Sequence, residues 1–244
     1  MSMALRNMAP EGGLPRLDPV RPRTMTEHAA EAIVAGAARG LFLPGDRLVE
    51  AEIARELGIS RVPVREALRL LESHGIVVNH PYRGMRMMQV TNRTAADLAK
   101  VRLALELMAL SEVIERVAGG QPVAPLSAAA ERYARIGLDA AADIAAVIAA
   151  DRDFHATLVG LAGNDPLLQT WDGLSRRLTL LWAIGQTHTS RDDIVGQHAN
   201  LVEAIRETDR ERARAVLEGH IRWNIGFDFE AAFEAKRAAR GSRR

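Results

Sequence analysis

From Thr24 onward, apolar positions recur at helical spacing. Ala29, Ile33, Val34 and Ala37 fall on one side of a helix predicted over Glu27–Arg39. Pro44-Gly45, within Leu41–Asp46, marks a turn into the next element. A second helix is predicted over residues 50–57, and Gly58 supplies its left-handed stop. Ser60 then offers an N-cap oxygen to a third helix, and Pro63 stands in its first turn, where a missing N–H costs little. That helix ends near His74 and Gly75. Ile76–Asn79 and Met85–Val90 read as two short strands about a turn at His80–Gly84.

Beyond Thr91 the pattern becomes wholly helical. Helices are predicted at 94–117, 125–136, 140–162, 166–185, 190–207 and 209–238. Gly119–Pro122, Gly163–Pro166, Gly185–Thr189 and Thr208-Asp209 separate them. The predicted fold class is mainly α: an N-terminal winged helix-turn-helix (α+β), then an all-α helical bundle. Residues 1–23 read as a flexible arm, 24–92 as the winged unit, 93–238 as the helical domain and 239–244 as a tail.

The helix-turn-helix reading rests on three positions. Ala54 is small enough for two helices to approach, Gly58 makes the turn, and Val64 packs back with Ile53, Leu57 and Leu68. Arg61, Arg65 and Arg69 recur every fourth residue and form one stripe on the opposite face. A cationic stripe that starts at a helix N-terminus suits a phosphate-flanked major groove. Arg83-Gly84, at the strand turn, would be a wing that reaches the adjacent backbone. The plainer alternative is a solvated hairpin whose arginines pair with Glu66 or Glu72.

Whole-chain charge at first speaks against nucleic acid: 32 basic and 31 acidic residues leave a net +1. Split at residue 93, the first part carries 13 Arg against 10 acidic residues, a net +3. The remainder carries 19 basic against 21 acidic residues, a net −2. The positive excess therefore falls in the half where the arginines align. The absence of cysteine excludes disulfides, zinc ribbons, iron–sulfur clusters and thiol catalysis, so any metal must rest on Asp and His. With no signal-peptide pattern and no uncharged apolar run of ~18 residues, the chain reads as soluble and cytoplasmic, without a membrane partner.

One such Asp/His set is present. Asp151 and His155 are four apart and share a helical face, with Phe154 turned elsewhere; His198 and His220 lie in later helices. Bundle helices can project donors of this kind inward. One carboxylate and three imidazoles suit zinc, nickel, iron or manganese rather than calcium or magnesium. Spacing alone leaves these residues equally readable as surface or satisfied core side chains.

Two stretches resemble a known family. Leu43-Pro44-Gly45-Asp46-Arg47-Leu48, Ile53–Arg61, Pro63–Leu68 and Glu72–Val77 resemble the winged helix of GntR-type bacterial transcription regulators. That resemblance implies operator contacts from Ser60, Arg61, Arg65 and the wing residue Gly84, with Arg69 and Arg83 beside them. Val101-Arg102, Leu105-Glu106, Asp151-x-x-Phe154-His155, Ala162-Gly163-Asn164 and His198-x-x-Leu201-Val202-x-Ala204-Ile205, followed by Ala213 and His220, resemble the FCD domain of the FadR subfamily. This implies a divalent cation, zinc first and nickel, manganese or iron otherwise, on Asp151, His155, His198 and His220. Thr208 stands where the family usually has glycine.

A carboxylate effector could complete the metal's coordination, with Arg102 as a guanidinium clamp held by Glu106 and with Asn164 and Arg176 as further pocket candidates. The expected function is a homodimeric DNA-binding repressor on a palindromic double-stranded operator, modulated by a small carboxylic acid. The competing readings are a metal-dependent hydrolase and a direct metal sensor. The chain has no His-Glu-x-x-His motif, nucleophile elbow or phosphate loop, so it is not expected to be an enzyme.

Overall fold

The computed structural model describes residues 24–188 and 191–241. The predicted arm at 1–23 lies outside the described residues, as do residues 242–244 of the predicted tail. Helix α1 (Met25–Ala38) starts two residues before its predicted start, because Thr24 and Glu27 form a reciprocal capping box. Helix α2 (Glu50–Leu57) ends at Gly58, whose φ of 66° is the left-handed stop. Helix α3 (Arg61–Ser73) follows. Strands β1 (Val77–His80) and β2 (Gly84–Met87) pair antiparallel, with Val77 opposite Met87 and His80 opposite Gly84. Met88 and Val90, predicted as strand, leave the ladder and enter the core instead; the Met88 N–H donates to the Ile76 carbonyl.

Two details of the helix-turn-helix differ from expectation. Ser60 has N-cap backbone geometry but makes no side-chain capping bond, so its hydroxyl stays exposed at the start of α3. Leu57, expected in the core, is 37% exposed, whereas Ile53, Ala54, Val64 and Leu68 are buried.

The rest is helical: α4 (Asn92–Ala118), α5 (Ala124–Gly137), α6 (Ile144–Leu161), α7 (Asp165–His188), α8 (Arg191–Arg206), α9 (Arg210–Gly226) and α10 (Phe229–Gly241). The single helix predicted over 209–238 is therefore two. Phe227 is extended (φ −83°, ψ 137°), and the Asp228 carboxylate accepts from the Ala231 N–H to start α10 afresh. Asp228 also accepts from the Asn92 side chain at 2.9 Å, so a residue on α4 fixes the break. Thr208 takes φ 56°, the left-handed conformation that a glycine would adopt without strain.

One apolar core fills the bundle, around Val113, Phe154, Trp171, Leu201, Leu217 and Ile221. A second runs through the winged helix and continues into the bundle, where Ile148, Leu178, Leu181 and Trp182 meet Ile33, Leu68 and Met87. Helix α10 closes this junction with Phe229 and Phe233. Its Arg240 pairs with Asp46 at 2.7 Å, and its Arg237 donates to the Pro44 carbonyl. The winged helix is thus anchored to the bundle by packing and by charge.

Candidate nucleic-acid interface and metal centre

Helix α3 presents Arg61, Arg65 and Arg69 on its exposed side, while Val64, Ala67, Leu68 and Leu71 are buried. Arg65 Nε lies 3.2 Å from a Glu50 oxygen, and Arg69 Nη1 lies 3.0 Å from Glu66. Both pairs are exposed and worth ~0–1 kcal/mol, so phosphates or base edges can displace the carboxylates. Gly84 has φ 75° and Tyr82 has φ 64°, so two left-handed residues bracket Arg83 at the strand turn. Tyr82 is fully exposed there. Its left-handed backbone gave no sequence signal, because non-glycine residues seldom adopt it.

Asp151 and His155 on α6, His198 on α8 and His220 on α9 converge, with one donor atom from each lying within 4.8 Å of all the others. All four are buried. His155 Nε2 is 3.1 Å from His220 Nε2 and 3.2 Å from His198 Nε2, and His198 Nε2 is 3.5 Å from Asp151. Phe154, expected to point elsewhere, is also buried, and its ring packs edge-on against His155 and His198. It forms part of the cluster's wall.

The outer ring nitrogens set the tautomers. His155 Nδ1 donates to Glu106 at 2.9 Å, and His220 Nδ1 donates to the Gln197 amide oxygen at 2.8 Å. In the ligating form of both rings neither Nε2 carries a proton, and the 3.1 Å contact would bring two lone pairs together. A cation between them relieves that repulsion. Bonds of ~2.1 Å to one ion put neighbouring donors ~3.0–3.4 Å apart, close to the separations found here. Burial pushes the His198 and His220 pKa values well below the ordinary 6.5, which keeps both in the neutral, ligating form. These residues fit a divalent metal.

The same shifts predict a pH dependence. A histidine held neutral contributes stability that is full above the unfolded value, ~6.5, and is lost as pH falls toward the depressed folded value. Asp151, pushed up by burial, acts in the opposite sense and offsets part of this. Chelator-treated protein is expected to lose stability as pH falls from about 7 to 5, by at most ~2.7 kcal/mol per pH unit for the two histidines together. Calorimetric melts across that range would show it, and a flat profile would contradict it.

Glu106 is the hub behind the cluster. It accepts from Arg102 Nε at 2.7 Å, Trp171 Nε1 at 2.8 Å and His155 Nδ1 at 2.9 Å. The positive charge of Arg102 and the bond from His155 hold its carboxyl well below the usual range, against the pull of burial. Arg102, only 2% exposed, keeps Nη2 buried without a partner. Its guanidinium lies 5.0 Å from the centre of the Trp182 ring, whose Nε1 is likewise buried and unpaired. Sequence reasoning missed Trp171, Trp182 and Gln197, because a lone tryptophan or glutamine in a helical pattern carries no local signal.

The other two pocket candidates lie elsewhere. Asn164 Oδ1 accepts from the Leu167 N–H and caps α7. Arg176 lines a cavity between the winged helix and the bundle and pairs with Asp172 at 2.8 Å.

A winged helix-turn-helix joined to an all-helical bundle with a buried Asp/His3 cluster points to a class of DNA-binding transcription regulators. Residues 25–87 match the gntR family of bacterial regulatory proteins, and residues 97–222 match the FCD domain. The chain belongs to the GntR family of regulators that carry an FCD domain, and it is a transcription regulator. It is 30% identical to the Nta operon transcriptional regulator of Aminobacter aminovorans, over 74% of this chain and 83% of that protein. It is 28% identical to the probable D-xylose utilization operon transcriptional repressor of Paenarthrobacter nicotinovorans, over 81% of this chain and 86% of that protein. The solved structure of E. coli McbR/YncC shares the fold, with a TM-score of 0.69 at 22% identity over 84% of this chain and 97% of that one. Among the described residues, no helix is long and apolar enough to cross a membrane.

Proposed function

We propose that the chain is a homodimeric repressor whose operator affinity is set by a small carboxylate captured beside a divalent metal. The supporting observation is the set of buried groups left unsatisfied around the Asp151, His155, His198 and His220 cluster: Arg102 Nη2 and Trp182 Nε1 are donors without acceptors. A carboxylate would accept from the guanidinium and offer its other oxygen to the ion. The metal would supply a Lewis-acidic attachment point for that oxygen. Arg102 would orient the acid, Glu106 would hold both Arg102 and His155, and Phe154 would exclude water.

Repression is the reading favoured by the D-xylose relative, which is described as a repressor. Dimerisation is supported by helix α4, whose exposed face carries Val101 and Met108, each about half exposed, with Ala104 between them. Two copies would place two α3 helices in successive major grooves, ~34 Å apart. Ser60, Arg61, Arg65, Arg69, Arg83 and Gly84 are the proposed DNA contacts.

A thermal-shift screen of small carboxylic acids tests the effector half. At 100 times its Kd an acid that binds only the folded protein adds ~2.7 kcal/mol and raises Tm, and Arg102→Ala should abolish the shift. Equal shifts in both proteins, or no active acid, would refute the site.

A further inference from the structure

The winged helix meets the bundle across a cavity of about 530 Å3 whose lining includes no metal donor and neither Arg102 nor Glu106. This volume is typical of a small-molecule site. Its floor is apolar, from Ala30 and Val34 of α1, Leu70 and Leu71 of α3, and Ile148 of α6. Its polar wall is formed by Arg152, Arg176 and His74.

Arg152 donates through Nη2 to Asp172 and through Nε to Ser175, while Arg176 donates through Nε and Nη2 to the same Asp172. Two guanidiniums share one carboxylate. Neither Nη1 group makes a hydrogen bond to any described residue. His74 Nδ1 is buried and also without a partner. On the α1 side stand Glu27 and Glu31, both exposed, with Glu27 committed to the Thr24 cap. A second negative charge on an occupant would meet these carboxylates.

We propose that this cavity is a second ligand site for an apolar monocarboxylate. The acid head lies against Arg152, Arg176 and His74, and the hydrocarbon or aromatic body lies on the floor between α1 and α3. Leu70, Leu71 and His74 belong to the C-terminal end of α3, the helix that carries the arginine stripe. An occupant therefore touches α3 and the bundle at once and fixes their relative placement. A ligand acts on such an equilibrium only through its differential affinity for the two arrangements. This one acts without passing through the metal cluster.

Calorimetric titration of the full-length protein with 1-naphthoate and with octanoate tests the site, with adipate as a dicarboxylate control. At least one of the two monocarboxylates should bind once per chain, and adipate at least tenfold more weakly. Ala149→Trp fills the cavity from its exposed rim, and Arg176→Ala removes half of the acid clamp; each should weaken binding tenfold or more. Arg102→Ala, which disables the site proposed beside the metal, should leave this binding unchanged. The bound acid should also change affinity for a selected operator in wild type and not in Ala149→Trp. The proposal is overturned if neither monocarboxylate binds, if adipate binds equally, if operator affinity is unmoved, or if Arg102→Ala abolishes binding while Ala149→Trp retains it.

Discussion

Protein carrying His155→Ala is expected to purify without the divalent metal proposed for the wild type, and to melt ~10 °C or more below it. His155 is the centre of the cluster: its Nε2 lies within 3.2 Å of both His198 and His220, and its Nδ1 ties the cluster to Glu106. Removing the ring leaves a buried void and takes from Glu106 one of its three donors. Breaking a buried charged network of this kind costs ~3–5 kcal/mol. Loss of an ion present at a thousand times its Kd adds ~4 kcal/mol. For a chain of this size each kcal/mol lowers Tm by ~2–4 °C. Elemental analysis of the purified protein identifies the ion, and calorimetry reads the shift. Full metal content in the variant would refute the proposed ligand set. Wild-type protein free of metal as purified, with an unchanged melt on adding zinc, nickel, manganese or iron, would refute the centre itself.

Arg65→Ala should collapse discrimination between a selected operator and random DNA while leaving metal content and Tm close to wild type. Arg65 is exposed on α3, and its partner among the described residues, Glu50, is a partly exposed carboxylate whose pairing with it contributes little to stability. A bidentate arginine–guanine contact is worth ~1–3 kcal/mol, and the proposed two-fold dimer would lose it twice, so specificity should fall by roughly 30-fold to 20,000-fold. Arg69→Ala makes the contrasting case. As a phosphate contact it should weaken all sequences alike and reduce the salt slope by ~1 per contact. Fluorescence anisotropy across salt separates the two. An Arg65→Ala protein that keeps its preference for the operator would remove Arg65 from the readout.

Legibility differed with the range of the interactions. The helix-turn-helix was readable because its determinants are local: Gly58 stops α2 with its own backbone, and the Arg61, Arg65 and Arg69 stripe follows from helical periodicity alone. The break between α9 and α10 was hidden, because Asp228 caps α10 partly through a bond to Asn92, 136 residues earlier. The uncapped hydroxyl of Ser60 and the exposure of Leu57 were missed for the opposite reason. Local preference pointed to a cap and a core position, and the surrounding packing used neither.

The same division runs through the candidate sites. From the residues alone came the inventory: a thiol-free chain offers mainly carboxylates and imidazoles to a transition metal, and one matching Asp/His set was present. Whether Asp151, His155, His198 and His220 meet was a question of how α6, α8 and α9 pack. A four-residue spacing places two donors on a face but cannot bring a third and fourth helix to it. Tertiary structure also decided the roles of the arginines. Arg102 lies in the core, paired with Glu106 and packed on Trp182, whereas the packing of α7 against the winged helix leaves Arg176, paired with Asp172, at the domain junction. A side chain's chemistry is set by its own bonds, but its partners are set by which helices the apolar cores bring together.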